Sequence, residues 1–191
     1  MSERHAFLTQ SQGNLGLLEQ ALVALADAGV EHIHALHGCA YDAQAVIRGR
    51  VQRFPRAAAP GEARFADYVL ASVLSGVVEA PEGELIRNDR LAARVQVHPG
   101  PARVQVGPYA VAVGEQAAEG VRLVVRPDRA RRRLDLGRAV PRLDPGHLQA
   151  ANHEGEPATF AVVEATGGGL VVHFLAPDGS PVERPQTVPL S

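Results

Sequence analysis

The 191-residue chain contains no lysine, so all 19 of its basic residues are arginine. That absence excludes Schiff-base chemistry, a P-loop lysine and a kinase-type lysine, each of which needs a primary amine. A single cysteine, Cys39, excludes a disulfide framework within the chain and the four-cysteine zinc sites. No apolar run approaches the roughly 20 residues of a spanning helix, and the apolar stretch after the polar start is broken by Thr9-Gln10-Ser11-Gln12, short of the about 7–15 residues of a secretory segment, so no targeting signal is expected. A cytoplasmic location is expected. The formal net charge is only −2, which exerts no global pull towards nucleic acid or an anionic membrane. What remains is 46% apolar and 21% charged, enough to bury a core, and the length suits one domain over residues 1–191. The last stretch, about 179–191, reads as an extended tail.

Ala6-Phe7-Leu8 is a short apolar run suited to a buried strand, and the polar turn Gln10 to Asn14 follows it. Asn14 is a good helix N-cap, with Leu15, Leu18, Leu22 and Leu25 behind it at helical spacing; Gly29 stops the helix. Val30 to Leu36 then reads as a second strand. Strand, helix and strand within about thirty residues make a right-handed crossover with parallel strands. Ligands of such sheets bind beyond the carboxyl ends of the strands, which here are the turns at 10–14 and 37–42. The arginines and prolines of 49–61 suggest an exposed loop, and 62–78 a buried helix. From residue 94 onwards, short alternating runs punctuated by glycine and proline predict a largely antiparallel second half. Its strand candidates are 95–97, 104–106, 109–113, 121–125, 133–136, 160–164 and 170–175. The glycines Gly167 to Gly169, between two strands with no helix following, read as a hairpin turn.

The segment Leu8-Thr9-Gln10-Ser11-Gln12-Gly13-Asn14-Leu15, its amphipathic helix and the strand ending His37-Gly38 resemble the start of a calcineurin-like metallophosphoesterase. The likeness is to the small bacterial and archaeal phosphodiesterase branch. Leu143-Asp144-Pro145-Gly146-His147 is similar to that family's Asn-Pro-Gly-Ser turn. The resemblance spans roughly 5–48 and 100–178, and 49–92 do not align. It implies an α/β fold: a two-sheet β-sandwich flanked by helices, with an N-terminal βαβ unit. It also implies where a two-metal site would stand, and those positions carry the wrong chemistry. The family's first-motif Asp and His fall on Gln10 and Gln12, with Asn14 kept; the Gly-Asp pair that supplies the bridging carboxylate falls on His37-Gly38 or on Gly38-Cys39. The later imidazole motifs fall on Val113 and on Arg126 to Arg129. Amides and guanidiniums do not balance the charge of paired cations.

These losses predict a catalytically inactive relative with no metal and no cofactor, and the resemblance implies, by analogy within the fold, a protein-interaction or assembly scaffold in a bacterial cytoplasm. A protein partner is expected and a nucleic acid or membrane partner is not; the oligomeric state stays open. Two alternatives stand beside this reading: a metal-dependent phosphoesterase with rearranged ligands, and a small-ligand or nucleotide sensor using the old pocket. His32 and His34 share one strand face, which raises a replacement metal site; the plainer reading packs them beside the crossover helix. The run Arg126, Arg129, Arg131, Arg132 and Arg133 offers a phosphate patch. Interleaved Asp128 and Asp135 favour a solvated turn into an edge strand instead. Cys39 lacks an orienting partner for nucleophilic chemistry.

Overall fold

The computed structural model describes residues 3–47, 93–114, 119–149 and 155–189. The loop expected over 49–61 and the helix over 62–78 lie outside the described residues. The chain opens with strand β1 (Arg4–Leu8), helix α1 (Leu15–Asp27), strand β2 (His32–Ala35) and helix α2 (Ala40–Ile47). Strands β3 (Val95–Val97), β4 (Ala102–Val106), β5 (Tyr109–Val113) and β6 (Val121–Val125) come next. They are followed by β7 (Arg133–Asp135), β8 (Arg142–Asp144), β9 (Phe160–Thr166), β10 (Gly169–Leu175) and β11 (Gln186–Pro189). One sheet has the order β11-β10-β9-β1-β2-β3 and the other β4-β5-β6-β8-β7.

The βαβ opening forms as expected. β1 and β2 pair in parallel with His5 beside His32 and Leu8 beside Ala35. Asn14 Oδ1 accepts the Leu17 N–H at 3.3 Å, satisfying one orphan donor at the start of α1. Gly29, at φ 71°, ends the helix in the left-handed region that glycine tolerates. Most pairs of the second half are antiparallel; β5–β6 and β6–β8 are parallel. The hairpin at Gly167-Gly168 joins β9 to β10, and β7 is an edge strand.

Strand alternation sends alternate residues of β1 and β2 to opposite faces. Ala6, Leu8, Ile33 and Ala35 pack against Leu18, Leu22 and Leu25 of α1 and Ala43 and Val46 of α2. Phe7 and Leu36 face the other way, into the core between the sheets, with Val111, Leu123, Val125, Leu143, Val163 and Phe174. The second sheet also buries Ala112, Val121 and Val124 on its far side. Strands buried on two faces explain the near-continuous valine runs of β5 and β6.

Register also corrects the expected position of two histidines. His34 stacks on Phe7 (ring centroids 4.9 Å apart) and His32 stacks on the same ladder at His5, 4.4 Å away. Both therefore lie on the sheet face opposite α1. No described helix is long and apolar enough to cross a membrane.

Candidate functional site

The carboxyl ends of β1, β2 and β6 come together through their turns. Gly38 O accepts the Ser11 and Gln12 amides at 3.1 and 3.3 Å, joining the turn after β1 to the turn after β2. The Thr9 hydroxyl lies between two carbonyls, His37 O at 3.3 Å and Pro127 O, and its one proton goes to one of them. Gln10 Nε2 donates to the same Pro127 O at 3.2 Å. The buried Asp42 carboxylate accepts the Ser11 hydroxyl (2.6 Å) and the Gly13 N–H (2.7 Å). Gln10 and Gln12 adopt φ of 52° and 45°, a left-handed conformation that costs a side-chain-bearing residue energy and that clusters at functional turns.

Of the positions singled out by sequence, Gln10, Gln12, His37 and Gly38 meet at this junction, and Arg126 and Arg129 line the cavity beside it; Gly38 is so close that a Cβ would sit 3.3 Å from Gln10 Cα. Asn14 is committed to capping α1. Val113 is buried beside Val125 in the β5–β6 ladder and packs into the inter-sheet core. Cys39 turns inward, 1% exposed among the residues that pack α1 and α2 on the first sheet. Burial pushes its thiol up to about 12, helped by the nearby Asp42 charge and opposed by a contact with Ser11. It is neither a ligand nor a nucleophile there. His147 is fully buried and spent on backbone: its Nε2–H donates to Glu156 O (3.0 Å), and Nδ1 accepts the Gln149 N–H (3.1 Å).

Next to this junction, a cavity of about 530 Å³ opens past the ends of β6 and β8. Its charged lining is Arg126, Arg129, Arg131 and Arg133 with Asp144 and Glu156, four cations against two carboxylates. Arg126 grips the 4%-exposed Asp144 in a two-pronged pair, Nε to Oδ1 at 2.6 Å and Nη2 to Oδ2. Burial raises the Asp144 pKa against the pull of Arg126, whose own pKa the carboxylate raises. Glu156 pairs with Arg131 (3.1 Å) and Arg132 (3.6 Å), and Arg129 with Asp128 (3.6 Å). The arginine run does lead into an edge strand, as its interleaved aspartates suggested, and it also walls a cavity. Arg131 and Arg133 were visible as members of that run. Glu156 gave no signal, because it belongs to no periodic segment and reaches the arginines only through the fold.

The donor chemistry does not fit a pair of cations at these strand ends. Positions 10 and 12 offer neutral amides, Asp42 and Asp144 are consumed by Ser11, Gly13 and Arg126, and the thiol is buried and protonated. Among the described residues, the group of three metal-ligating side chains that does converge lies elsewhere, at Glu3, His5 and His32.

No family model and no curated protein matches this chain in sequence. Solved structures do match in shape. A conserved uncharacterized protein of Streptococcus pneumoniae TIGR4, described as a predicted phosphoesterase, superposes with a TM-score of 0.56 at 11% identity, over 98% of each chain. Yfce, a phosphoesterase from E. coli, superposes with a TM-score of 0.50 at 15% identity, over 97% of this chain and 99% of its own. These neighbours overturn the expectation that the chain is no enzyme. That expectation equated the loss of one ligand set with the loss of all phosphate chemistry, yet the strand ends still carry a charged cavity. The fold of this chain is the two-sheet α/β fold of these two phosphoesterase structures.

Proposed function

We propose that the chain is a phosphoesterase with a rearranged site, in which guanidiniums take over the holding of the phosphoryl group. The observation that carries this reading is the four-arginine cavity at the carboxyl ends of β6 and β8, where sheets of this kind keep their ligands. Its volume of about 530 Å³ suits a nucleotide or an aryl ester rather than a polymer. The names of the two fold neighbours support the reaction class by analogy.

Each planar guanidinium can offer two parallel N–H bonds to phosphoryl oxygens. Arg126 is held rigid by Asp144, whereas Arg129, Arg131 and Arg133 are more than half exposed and can close on a ligand. Their charges would stabilise the charge spread over the equatorial oxygens as water attacks phosphorus and the ester oxygen leaves. Water must lose a proton in that step. Both cavity carboxylates have their two oxygens on arginine, but the contacts of Glu156 to Arg131 (3.1 Å) and Arg132 (3.6 Å) are longer than those of Asp144 to Arg126, and Glu156 is the one placed to receive it.

Hydrolysis of p-nitrophenyl phosphate and bis(p-nitrophenyl) phosphate by the full chain tests this. Turnover is expected on one of the two esters. Glu156→Gln should lower kcat by about 100-fold with little change in KM, and Arg129→Ala with Arg131→Ala should raise KM. Absence of turnover on both esters, or turnover indifferent to all three changes, would overturn the reading.

A further inference from the structure

At the opposite end of β1 from the arginine cavity, we infer a second site: a mononuclear site for a zinc-class divalent cation formed by Glu3, His5 and His32. The five residues of β1 put roughly 15 Å between the two places, at about 3.3 Å per residue. The ligand atoms of the three side chains all lie within 4.8 Å of one another. His5 Nε2 is 2.8 Å and His32 Nε2 3.9 Å from the same carboxylate oxygen, Glu3 Oε1. Two imidazoles and one carboxylate make a three-ligand set of borderline softness, which suits zinc or cobalt and leaves a fourth position for water. Parallel register places His5 beside His32, and Glu3, just before β1 and still bonded to the neighbouring strand through the Ala165 N–H, reaches both with its carboxylate.

The surroundings hold these ligands as a metal site requires. Gly107 N–H donates to Glu3 Oε2 at 3.1 Å, which fixes the carboxylate and leaves Oε1 for the cation. His5, only 4% exposed, is backed by a run of rings: its Nδ1 lies 2.8 Å from His34 Nε2, and His34 Nδ1 lies 3.0 Å from His98 Nε2. That run can point either way. Without a cation, His5 Nε2–H donates to Glu3, His34 Nε2–H to His5 Nδ1, and His98 Nε2–H to His34 Nδ1. With a cation on His5 Nε2, each ring carries its proton on Nδ1, so that His5 donates to His34 and His34 to His98. One proton leaves His5 Nε2 and one arrives at His98 Nδ1, so the charge of the run is unchanged. A ligating histidine whose other N–H is held by a partner is the usual arrangement around zinc. His32, 41% exposed, is free to turn its ring the last ångström and opens the site to solvent.

The test uses the full, untagged chain titrated with Co²⁺ and followed by visible absorption, with Zn²⁺ affinity then read by competition. A four-coordinate cobalt spectrum displaced by equimolar zinc is expected. His32→Asn and Glu3→Gln, both at exposed side chains that leave the core intact, should each weaken zinc binding by at least about 100-fold, while His37→Asn at the strand carboxyl ends changes nothing. Absence of the cobalt band overturns the site, as does undiminished affinity in both His32→Asn and Glu3→Gln. Loss of binding in His37→Asn alone would move the metal to the other end of the strands and overturn it equally. The result is independent of whether the arginine cavity hydrolyses an ester.

Discussion

At the scale of single residues, burial decides more than identity. Cys39 stands where the sequence resemblance places a metal-bridging group, yet it is a core residue whose thiol is held up to about 12. Native chain at pH 8 should therefore resist alkylation by iodoacetamide, and unfolded chain should react at once. The sign of the accompanying pH effect follows from the raised value. The native state keeps the proton that the unfolded thiol loses near 9, so this contribution is complete below pH 9 and is lost as pH climbs towards 12. Denaturant titrations should show stability falling across that window by on the order of 1 kcal/mol per pH unit, and Cys39→Ser should flatten the slope. Rapid native-state labelling would contradict the placement. Gln10 and Gln12 make the complementary point: their left-handed backbones are invisible in a string of polar letters and emerge only when the turn is pinned to Gly38 O and Asp42.

Elements were legible where periodicity was strong and silent where pairing alone makes the strand. The leucine stripe of α1 and the Asn14 cap announce themselves, and β3, β5 and β6 have the boundaries that alternation predicts. β8 does not, because Arg142-Leu143-Asp144 has one apolar residue and is a strand only by lying between β6 and β7. β11, inside the expected extended tail, is a strand through its ladder to β10. Helix α2 escaped notice because its alanines give little contrast between faces. The connection from β8 to β9 shows how narrowly such a join is specified. Gly146 adopts φ 102°, and a Cβ there would lie 1.9 Å from Thr159 Oγ1. Gly146→Ala should thus cost about 3 kcal/mol or more, combining left-handed strain with a clash against a short branched side chain. Gly167→Ala, with nothing within 4 Å, should stay within about 0.5 kcal/mol of wild type. Equal stabilities in chemical denaturation would contradict this account of the turn.

For the whole molecule, two sheets closing over Phe7, Leu36 and Phe174 bring together residues that the sequence keeps far apart. Thr9 and Gln10 meet Pro127, Arg126 meets Asp144, and Glu156 reaches back to Arg131. The sequence located the junction, at the turns after β1 and β2, and named Arg126 and Arg129. It missed the carboxylates that share the cavity, since ion pairs between distant segments leave no local pattern. It also read the absence of one ligand set as the absence of chemistry, whereas the closing of the sheets sets a different group of charges at the strand ends. If these charges form a phosphate site, calorimetric titration of the full chain with inorganic phosphate reads it out. Saturable binding of one phosphate per chain is expected, weakening as salt is raised, and weakened about tenfold or more by Arg129→Ala with Arg131→Ala. No saturable heat, or an affinity that the double substitution leaves unchanged, would contradict it.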